Sequence, residues 1–400
     1  MNVLFIHQNF PGQFVHLSAS LAAQKKNRVV ALTMRDNPAP KNVQVRKYSL
    51  LRAAAAETHP MLRDEEAKVL RAEACASAAF QLKRDGFEPD VIVAHPGWGE
   101  ALFIKDVFPN AKLVIYCEYY YAAEGQDVGF DPEDPPLSFQ QRCRLRIKNT
   151  TNLLSMEMAD AAISPTEWQK STYPQWAQDK ITVIHDGINL DNIKTTRSTT
   201  FDIKLSNGGQ VRLGRGNEVV SYVARNLEPV RGFHILMRTL PEVLRKRPNA
   251  HAVIVGGNEI SYGRHAPGGI SWQDHMIAEV GGEIDLDRVH FVGQIPYSSY
   301  AALINVSNVH TYWTTPFVLS WSFLEIALSG VPVVASDTPP VNEFAKALGI
   351  STAPFFDAGQ FAKHVVAELE APKARREIEV PALLDLTQCL SKQKYLLNQL

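Results

Sequence analysis

The sequence lacks the cysteine and histidine patterns that mark disulfide-stabilised and metal-binding proteins. Its 400 residues include four cysteines, and none of them has the CxxC spacing of a metal or redox motif. So few cysteines cannot form a disulfide framework, which favours a reducing compartment, the cytoplasm. The 12 histidines are scattered without ligand spacing, and no DxD-type carboxylate motif lies on a suitable loop. We therefore expect no metal site.

Long apolar runs and an excess of one charge are also missing. No window has the roughly 18 uninterrupted apolar residues of a membrane-spanning helix. The first residues, MNVLFIHQNF, have no basic segment and too short an apolar run for a secretory signal. With 41 basic and 42 acidic residues, the composition predicts no nucleic-acid partner. A membrane would be contacted only peripherally.

The chain has enough apolar content, 45%, for two domains of alternating strands and helices, an α/β fold. Strands are predicted at residues 2–7, 28–34, 90–94, 112–117, 161–164, 181–184, 218–224, 252–257, 289–292, 309–313 and 331–335, and helices at 14–24, 65–84, 138–158, 233–245 and 300–303. The polar segment 195–216 is interpreted as the interdomain region. The predicted domains are residues 1–195 and 196–375, followed by a C-terminal helix over 376–400.

The stretch from Thr311 to Phe344 combines a polar loop, a helix, a glycine stop and a buried strand. Glu325 is the acidic residue within that helix. In a doubly wound sheet, such a carboxylate would lie near the carboxyl ends of the strands, where nucleotides bind. An amphipathic helix whose glutamate faces solvent fits the same pattern equally well.

Two arginines six residues apart, Arg225 and Arg231, lie on the loop before the helix predicted at 233–245. Guanidinium groups present forked donors that suit a diphosphate, and a helix N-terminus adds backbone N–H groups. Two surface arginines are the alternative interpretation.

Three strand ends in the first half of the chain also carry polar or aromatic residues. Gly12 and Gln13 form a turn after the first strand that suits an anion, although a simple turn fits as well. His95 and Trp98 follow the strand at 90–94 beside two glycines, a composition that favours ligand binding.

The third of these strand ends, after residues 112–117, carries Glu118, Tyr119 and Tyr120. A carboxylate beside tyrosines suits a sugar, because aromatic faces pack on its apolar side. Packing of these tyrosines against the next helix is an equal alternative. The basic stripe that begins at Arg142 would face solvent, with an anionic acceptor or a membrane as the alternative.

Taken together, these segments resemble the family-4 retaining glycosyltransferases, which have the two-domain GT-B fold. The resemblance rests on LEIALSGVPVVAS with Glu325 and Glu343, on the loop with Arg225 and Arg231, on the GQIP segment after residues 289–292, and on HDGIN at 185–189. It implies two Rossmann-like, doubly wound domains that face a central cleft, with the C-terminal helix crossing back to the first domain.

The resemblance also implies a metal-independent retaining enzyme that uses a UDP- or GDP-linked sugar and no other cofactor. The implied catalytic residues are His95, Arg225 and Arg231. The implied donor-binding residues are Gly12, Arg225, Arg231, Gly257, Gly293, Phe317, Val318, Leu319, Ser320 and Glu325, and the acceptor-binding residues are Gln13, Trp98, Glu118, Tyr119 and Tyr120. The usual acceptor would be a glycan or lipid-linked glycan in polysaccharide biosynthesis.

The sequence departs from the family pattern at Phe317, which stands where the first glutamate of an E-x7-E pair is expected. That glutamate normally touches the donor sugar. Two alternatives stay open: a nucleotide-sugar epimerase of the same fold and a non-catalytic scaffold. Phe317 argues against the epimerase, which needs carboxylate acid/base groups at the sugar, and favours the scaffold.

Overall fold

The computed structural model describes residues 1–191, 193, 199–204, 208–371 and 375–400, which form two compact units. The first comprises Met1–Gly129, Asp134–Gly187 and Pro381–Leu400, and the second comprises Phe130–Glu133 and Ile188–Val380. Ring contacts and ion pairs hold the four-residue segment in the second unit, and Glu133 pairs with Arg238 there. The Phe130 ring lies 5.1 Å from that of Phe355, and Asp131 pairs with His234 at 3.2 Å.

The first unit contains a seven-stranded parallel sheet with the order β3-β2-β1-β4-β5-β6-β7. The strands are β1 Asn2–Ile6, β2 Arg28–Thr33, β3 Val43–Lys47, β4 Val91–Ala94, β5 Lys112–Tyr116, β6 Ala161–Ser164 and β7 Ile181–Val183. Most match predicted strands because they are short, buried apolar runs. β3 was not predicted: it is an edge strand whose sequence, VQVRK, is largely polar and exposed.

The helices of this part of the chain are α1 Val15–Ala22, α2 Arg63–Arg84, α3 Ile104–Val107, α4 Phe139–Lys148, α5 Thr150–Met158, α6 Glu167–Ser171 and α7 Gln175–Gln178. The prediction of one continuous helix over 138–158 was wrong, because the chain breaks between α4 and α5 at Asn149. The side chain of Asn149 accepts from the backbone N–H of Tyr121 at 2.9 Å and donates to its carbonyl at 2.7 Å. Those bonds fix the break in place.

The second unit contains a six-stranded parallel sheet with the order β12-β11-β10-β13-β14-β15, and a β8-β9 hairpin. The strands are β8 Thr200–Lys204, β9 Gln210–Gly214, β10 Glu218–Asn226, β11 Ala250–Gly257, β12 Val289–Gly293, β13 Val309–Tyr312, β14 Val333–Ser336 and β15 Ser351–Ala353. The helices are α8 Phe233–Lys246, α9 Trp272–Val280, α10 Tyr297–Val306, α11 Trp321–Leu328, α12 Pro339–Ala345 and α13 Ala358–Glu370.

The hairpin occupies part of the segment 195–216, which was predicted to be the interdomain region. Phe201, Ile203 and Leu213 are buried in a cluster with residues of β10 and β11, so this part of the segment belongs to the second unit. Residues 195–198 and 205–207 of the same prediction lie outside the described residues.

The last helix, α14 Leu386–Gln399, belongs to the first unit, where Leu397 shares a buried cluster with Leu17 and Leu21 of α1. The helix predicted over 376–400 therefore begins ten residues later than expected, and residues 376–385 carry no helix. Among the described residues, no helix is both long and apolar enough to cross a membrane.

Both parallel sheets reverse their strand order once, at β1/β4 in the first unit and at β10/β13 in the second. Connections from neighbouring strands leave in opposite directions at such a point, which opens a crevice beyond the carboxyl ends of the strands. The loops after β1, β4, β10 and β13 therefore hold the candidate site residues.

Candidate active site

In the first unit, the loops after β1, β4 and β5 bring five side chains together, which we call the Glu118 cluster: His7, Gln13, His95, Trp98 and Glu118. Gln13 bridges the cluster, since its carbonyl oxygen Oε1 accepts from Nε2 of His7 at 2.8 Å and its amide donates to Oε1 of Glu118 at 2.6 Å. Nε2 of His95 lies 3.3 Å from Oε2 of Glu118. The cluster joins four of the predicted residues and adds His7.

The two histidines have the same tautomer. Nδ1 of His7 accepts from the backbone N–H of Asn9 at 3.0 Å, and Nδ1 of His95 accepts from that of Gly97 at 3.1 Å. The ring proton of each must therefore lie on Nε2, which donates into the cluster. Burial, and next the nearby His95, lower the pKa of His7 to about 3, so His7 is neutral near pH 7.

Glu118 provides the negative charge of the cluster. Burial raises the pKa of its carboxyl, but the hydrogen bond and electrostatic interaction with His95, and next the contacts with Gln13 and His7, outweigh that effect and hold the pKa below its ordinary value. The side chain remains 30% exposed. An ionised carboxylate with an accessible face is a strong acceptor for hydroxyl groups.

An aromatic wall borders this carboxylate. The Trp98 ring stacks on His95 with centroids 4.4 Å apart, and Tyr116 lies 5.7 Å away from His95. Gly12 permits the close approach of its loop to His7, because a Cβ at Gly12 would lie 2.4 Å from Cε1 of the ring. Gly12, predicted to bind the donor, thus packs against this cluster.

The two predicted tyrosines differ in position. The Tyr119 hydroxyl donates to Asp127 at 2.6 Å, and Tyr119 lines a cavity of about 40 Å³ together with Glu118 and His95. The Tyr120 ring instead lies 5.5 Å from the ring of Tyr173 and packs on the core. Successive side chains of extended backbone point to opposite sides, which separates the two tyrosines.

In the second unit, Arg231 is the centre of the site and is 9% exposed. It donates to the Tyr312 hydroxyl at 3.1 Å, to the Thr314 hydroxyl at 2.7 Å and to the carbonyl of Val318 at 2.9 Å. All three acceptors are neutral, so these bonds leave the charge of the guanidinium uncompensated. They also leave two of its N–H groups unused.

Gly232 places Arg231 at the start of α8. Its φ of +64° is left-handed, and a Cβ there would lie 2.2 Å from Cβ of Trp313, so only glycine fits. Gly232 caps α8 without a side-chain hydrogen bond. The first N–H groups of a 14-residue helix therefore point toward the loop that carries Arg231.

Arg225, the second predicted arginine, is exposed at the end of β10. Its backbone carbonyl accepts from Gln294 at 3.3 Å, and no hydrogen bond of its guanidinium is seen among the described residues. At the neighbouring strand end, a Cβ at Gly257 would lie 2.5 Å from Oδ1 of Asn226. Gly293, also predicted to bind the donor, ends β12 with a φ of +64°.

Phe317 is 7% exposed, and its ring centroid lies 5.6 Å from the Arg231 guanidinium and 5.0 Å from the Tyr262 ring. Glu228 positions this tyrosine by accepting the backbone N–H groups of Tyr262 at 3.1 Å and Gly263 at 2.8 Å. Glu228 was not among the site residues predicted from the sequence. Its position on the loop from Arg225 to Gly232 was the one feature of the sequence that could have indicated a role in the site.

Glu325 lies on α11, where Tyr297 and Tyr300 donate to its two carboxylate oxygens at 3.1 and 3.0 Å. Burial raises the pKa of the carboxyl, and the two phenols lower it in part. The backbone N–H of Ser320 donates to Tyr312 at 3.1 Å, which ties the start of α11 to Arg231. The structure thus joins Arg231, Phe317, Val318 and Ser320, while Leu319 is half-buried on the same loop.

Two family models match the chain: "Glycosyl transferase family 4 group" over residues 25–193 and "Glycosyl transferases group 1" over residues 217–370. The chain belongs to the glycosyltransferases of the family 4 and group 1 type. The family predicted from the sequence is therefore confirmed. No curated protein sequence matches significantly.

Three solved structures illustrate the fold. Sucrose-phosphate synthase from Thermosynechococcus elongatus is 18% identical, with 100% of this chain and 98% of that chain covered and a TM-score of 0.67. A structure described as "Trehalose-6-phosphate from E. coli bound with UDP-2-fluoro glucose" is 12% identical, with 100% of this chain and 99% of that chain covered and a TM-score of 0.65. A UDP-forming alpha,alpha-trehalose-phosphate synthase from Burkholderia xenovorans in complex with glucose-6-phosphate is 11% identical, with 99% of each chain covered and a TM-score of 0.66. They confirm the predicted GT-B class of two Rossmann-like domains.

Proposed function

We propose that this glycosyltransferase is a retaining enzyme that moves a sugar from a nucleotide-diphosphate sugar to a hydroxyl acceptor without a metal ion. The observation that carries the proposal is the buried guanidinium of Arg231, whose three hydrogen-bond acceptors are neutral. Negative charge grows on the diphosphate as the glycosidic bond breaks. A fixed positive charge in a site with little water lowers that barrier most.

The remaining donor contacts follow from the same loops. The N-terminus of α8 adds backbone N–H groups for the diphosphate. Glu325, in the role that the family resemblance implies, would accept hydrogen bonds from the ribose hydroxyls. Tyr297 and Tyr300 hold its two oxygens in place before the nucleotide arrives.

The Glu118 cluster is the proposed acceptor site. Glu118 would accept a hydrogen bond from an acceptor hydroxyl, and His95 would orient donor sugar or acceptor, while the Trp98 ring offers an apolar face. In a retaining reaction on one sugar face, the departing phosphate takes the proton of the acceptor. A separate protein base is then unnecessary, and in the described structure both histidines already donate within the cluster.

The first test measures the thermal midpoint with UDP, GDP and ADP and with their sugars, because a ligand that prefers the folded state raises the midpoint. A shift with one nucleotide series supports the proposal and identifies the donor. No shift with any nucleotide would favour the scaffold, the alternative that Phe317 suggests.

The second test measures turnover with and without an acceptor, in buffer that contains a chelator. The acceptor panel includes a glycan, a lipid-linked glycan and a sugar phosphate, the last because the structural neighbours are named for sugar-phosphate synthases. An acceptor-dependent product with the anomeric configuration of the donor supports the proposal. Conversion of donor alone to an epimer, or an inverted product, would contradict it.

A further inference from the structure

The second unit contains a cavity of about 340 Å³ at the amino ends of the strands of its parallel sheet. Arg231 lies at the other end of these strands. Two of its lining residues, Asn308 and Pro332, immediately precede β13 and β14 and so lie at the amino ends of these strands. Arg231, in contrast, follows the carboxyl end of β10. The volume is within the range of small-molecule sites, roughly 300–1,000 Å³.

The charges that line the cavity do not cancel. Arg215, Arg375, Arg376 and Glu368 all contribute to its wall. Arg376 pairs with both oxygens of Glu368, at 2.7 and 2.9 Å, so these two charges neutralise each other. Neither Arg215 nor Arg375 has a carboxylate partner within the described part of the chain.

The two remaining guanidinium groups repel each other. Partial burial, and next the charge of Arg215, lower the pKa of Arg375 to about 10. One N–H of Arg375 donates to the carbonyl of Ile304 at 2.6 Å, which holds the side chain in this position. An anion between two like charges replaces their repulsion with two attractions. Planar guanidinium groups match phosphate oxygens in particular.

We propose that this cavity binds a small phosphorylated molecule at a site separate from the donor site. The cavity is near the lower end of the range for ligand sites, which favours inorganic phosphate, pyrophosphate or a monosaccharide phosphate over larger anions. The proposal does not depend on the reaction that the enzyme catalyses.

Isothermal titration with inorganic phosphate, pyrophosphate and glucose 6-phosphate tests the proposal. The wild type is compared with Arg215→Gln and with the double variant Arg215→Gln/Arg375→Gln. Loss of one charge-assisted hydrogen bond weakens binding by about 10- to 100-fold, so we expect each substitution to have an effect in that range. Comparison of the three anions identifies which of them the site prefers.

Two variants serve as controls. Arg212→Gln changes an exposed arginine of the β8-β9 hairpin, three residues before Arg215. Arg212 pairs with Asp202 at 2.6 Å and does not line the cavity, so this variant should leave the affinity unchanged. Arg231→Gln reports binding at the donor site. The proposal is overturned if no anion binds at millimolar concentration, if the double variant binds as tightly as the wild type, or if only Arg231→Gln abolishes binding.

Arg215→Gln also keeps the test independent of folding. The Arg215 side chain is exposed and makes no hydrogen bond in the described structure, so its replacement removes charge alone. An unchanged thermal midpoint without ligand, together with weaker anion binding, would assign the effect to the cavity.

Discussion

The guanidinium of Arg231 lies 5.6 Å from the ring centroid of Phe317, at a position where the family resemblance leads one to expect a carboxylate. An aromatic ring attracts a cation only weakly, so most of the positive charge of the cation stays available to other groups. A carboxylate would form an ion pair with Arg231 instead. Phe317 therefore leaves the charge of Arg231 available to a donor diphosphate.

This relationship predicts the effect of restoring the acid. Phe317→Glu should weaken binding of the nucleotide diphosphate, because the new carboxylate competes for the Arg231 guanidinium, and we expect a loss of about 10-fold in affinity. Titration with the nucleotide measures it, and Phe317→Gln controls for loss of the ring. If both variants bind alike, the charge at position 317 is irrelevant. A changed preference among donor sugars would place position 317 at the sugar.

Arg231→Lys should slow the chemical step because lysine keeps the charge but loses the fork that holds Tyr312, Thr314 and Val318. We expect kcat to fall about 100-fold, with a smaller change in KM, the signature of lost transition-state stabilisation. Arg225→Lys is the matched comparison. Because the Arg225 side chain is exposed, its replacement should have a smaller effect on kcat. A kcat equal to the wild type in Arg231→Lys would remove Arg231 from the reaction.

The sequence predicted the parallel strands well because a buried strand is a short apolar run, a signal that needs no knowledge of distant residues. The same rule explains why two parts of the strand pattern were not predicted. β3 is polar because it lies at an edge, and the β8-β9 hairpin buries only a few side chains, Phe201 and Leu213 among them. Neither has a continuous apolar run, so pattern alone did not distinguish them from loops.

The site was harder to predict because its decisive contacts join residues far apart in the chain. Arg225 and Arg231 look equivalent in the sequence, and only contacts with residues more than 80 positions away distinguish Arg231. The tyrosines that hold Glu325 lie 28 and 25 positions before it. The resemblance identified Glu325, but nothing in the sequence indicated its partners.

Glu325→Gln should weaken nucleotide binding, because a neutral amide accepts a weaker hydrogen bond from a ribose hydroxyl than a carboxylate does. We expect a loss of about 10-fold. Tyr297→Phe keeps the carboxylate and removes one of the hydrogen bonds that hold it, so it should have a smaller effect. Titration of both variants with the preferred nucleotide makes the comparison. An unchanged affinity in Glu325→Gln would rule out the ribose role.

The buried ring of His7 predicts a specific dependence of stability on pH. Its folded pKa of about 3 lies below the ordinary value of 6.5, so between these values the unfolded chain binds more protons than the folded one. The stabilisation that comes from keeping the His7 ring neutral in the folded chain is fully present above the unfolded pKa. It is lost as the pH falls from 6.5 toward 3. In that range the free energy of unfolding falls by up to about 1.4 kcal/mol per pH unit.

His7→Asn removes this titration. At about pH 7.5, well above the unfolded pKa, the variant should have a lower thermal midpoint than the wild type because it loses the packing of the ring. At about pH 5 the gap, meaning the difference between the two thermal midpoints, should be smaller, because the wild type has lost part of its stability and the variant has not. Comparing wild type and variant cancels the contributions of buried histidines outside the Glu118 cluster, such as His185. His59→Asn, which replaces an exposed ring, controls for the substitution itself and should change the thermal midpoint little. A constant gap between His7→Asn and the wild type would mean that His7 titrates alike in the folded and unfolded chain.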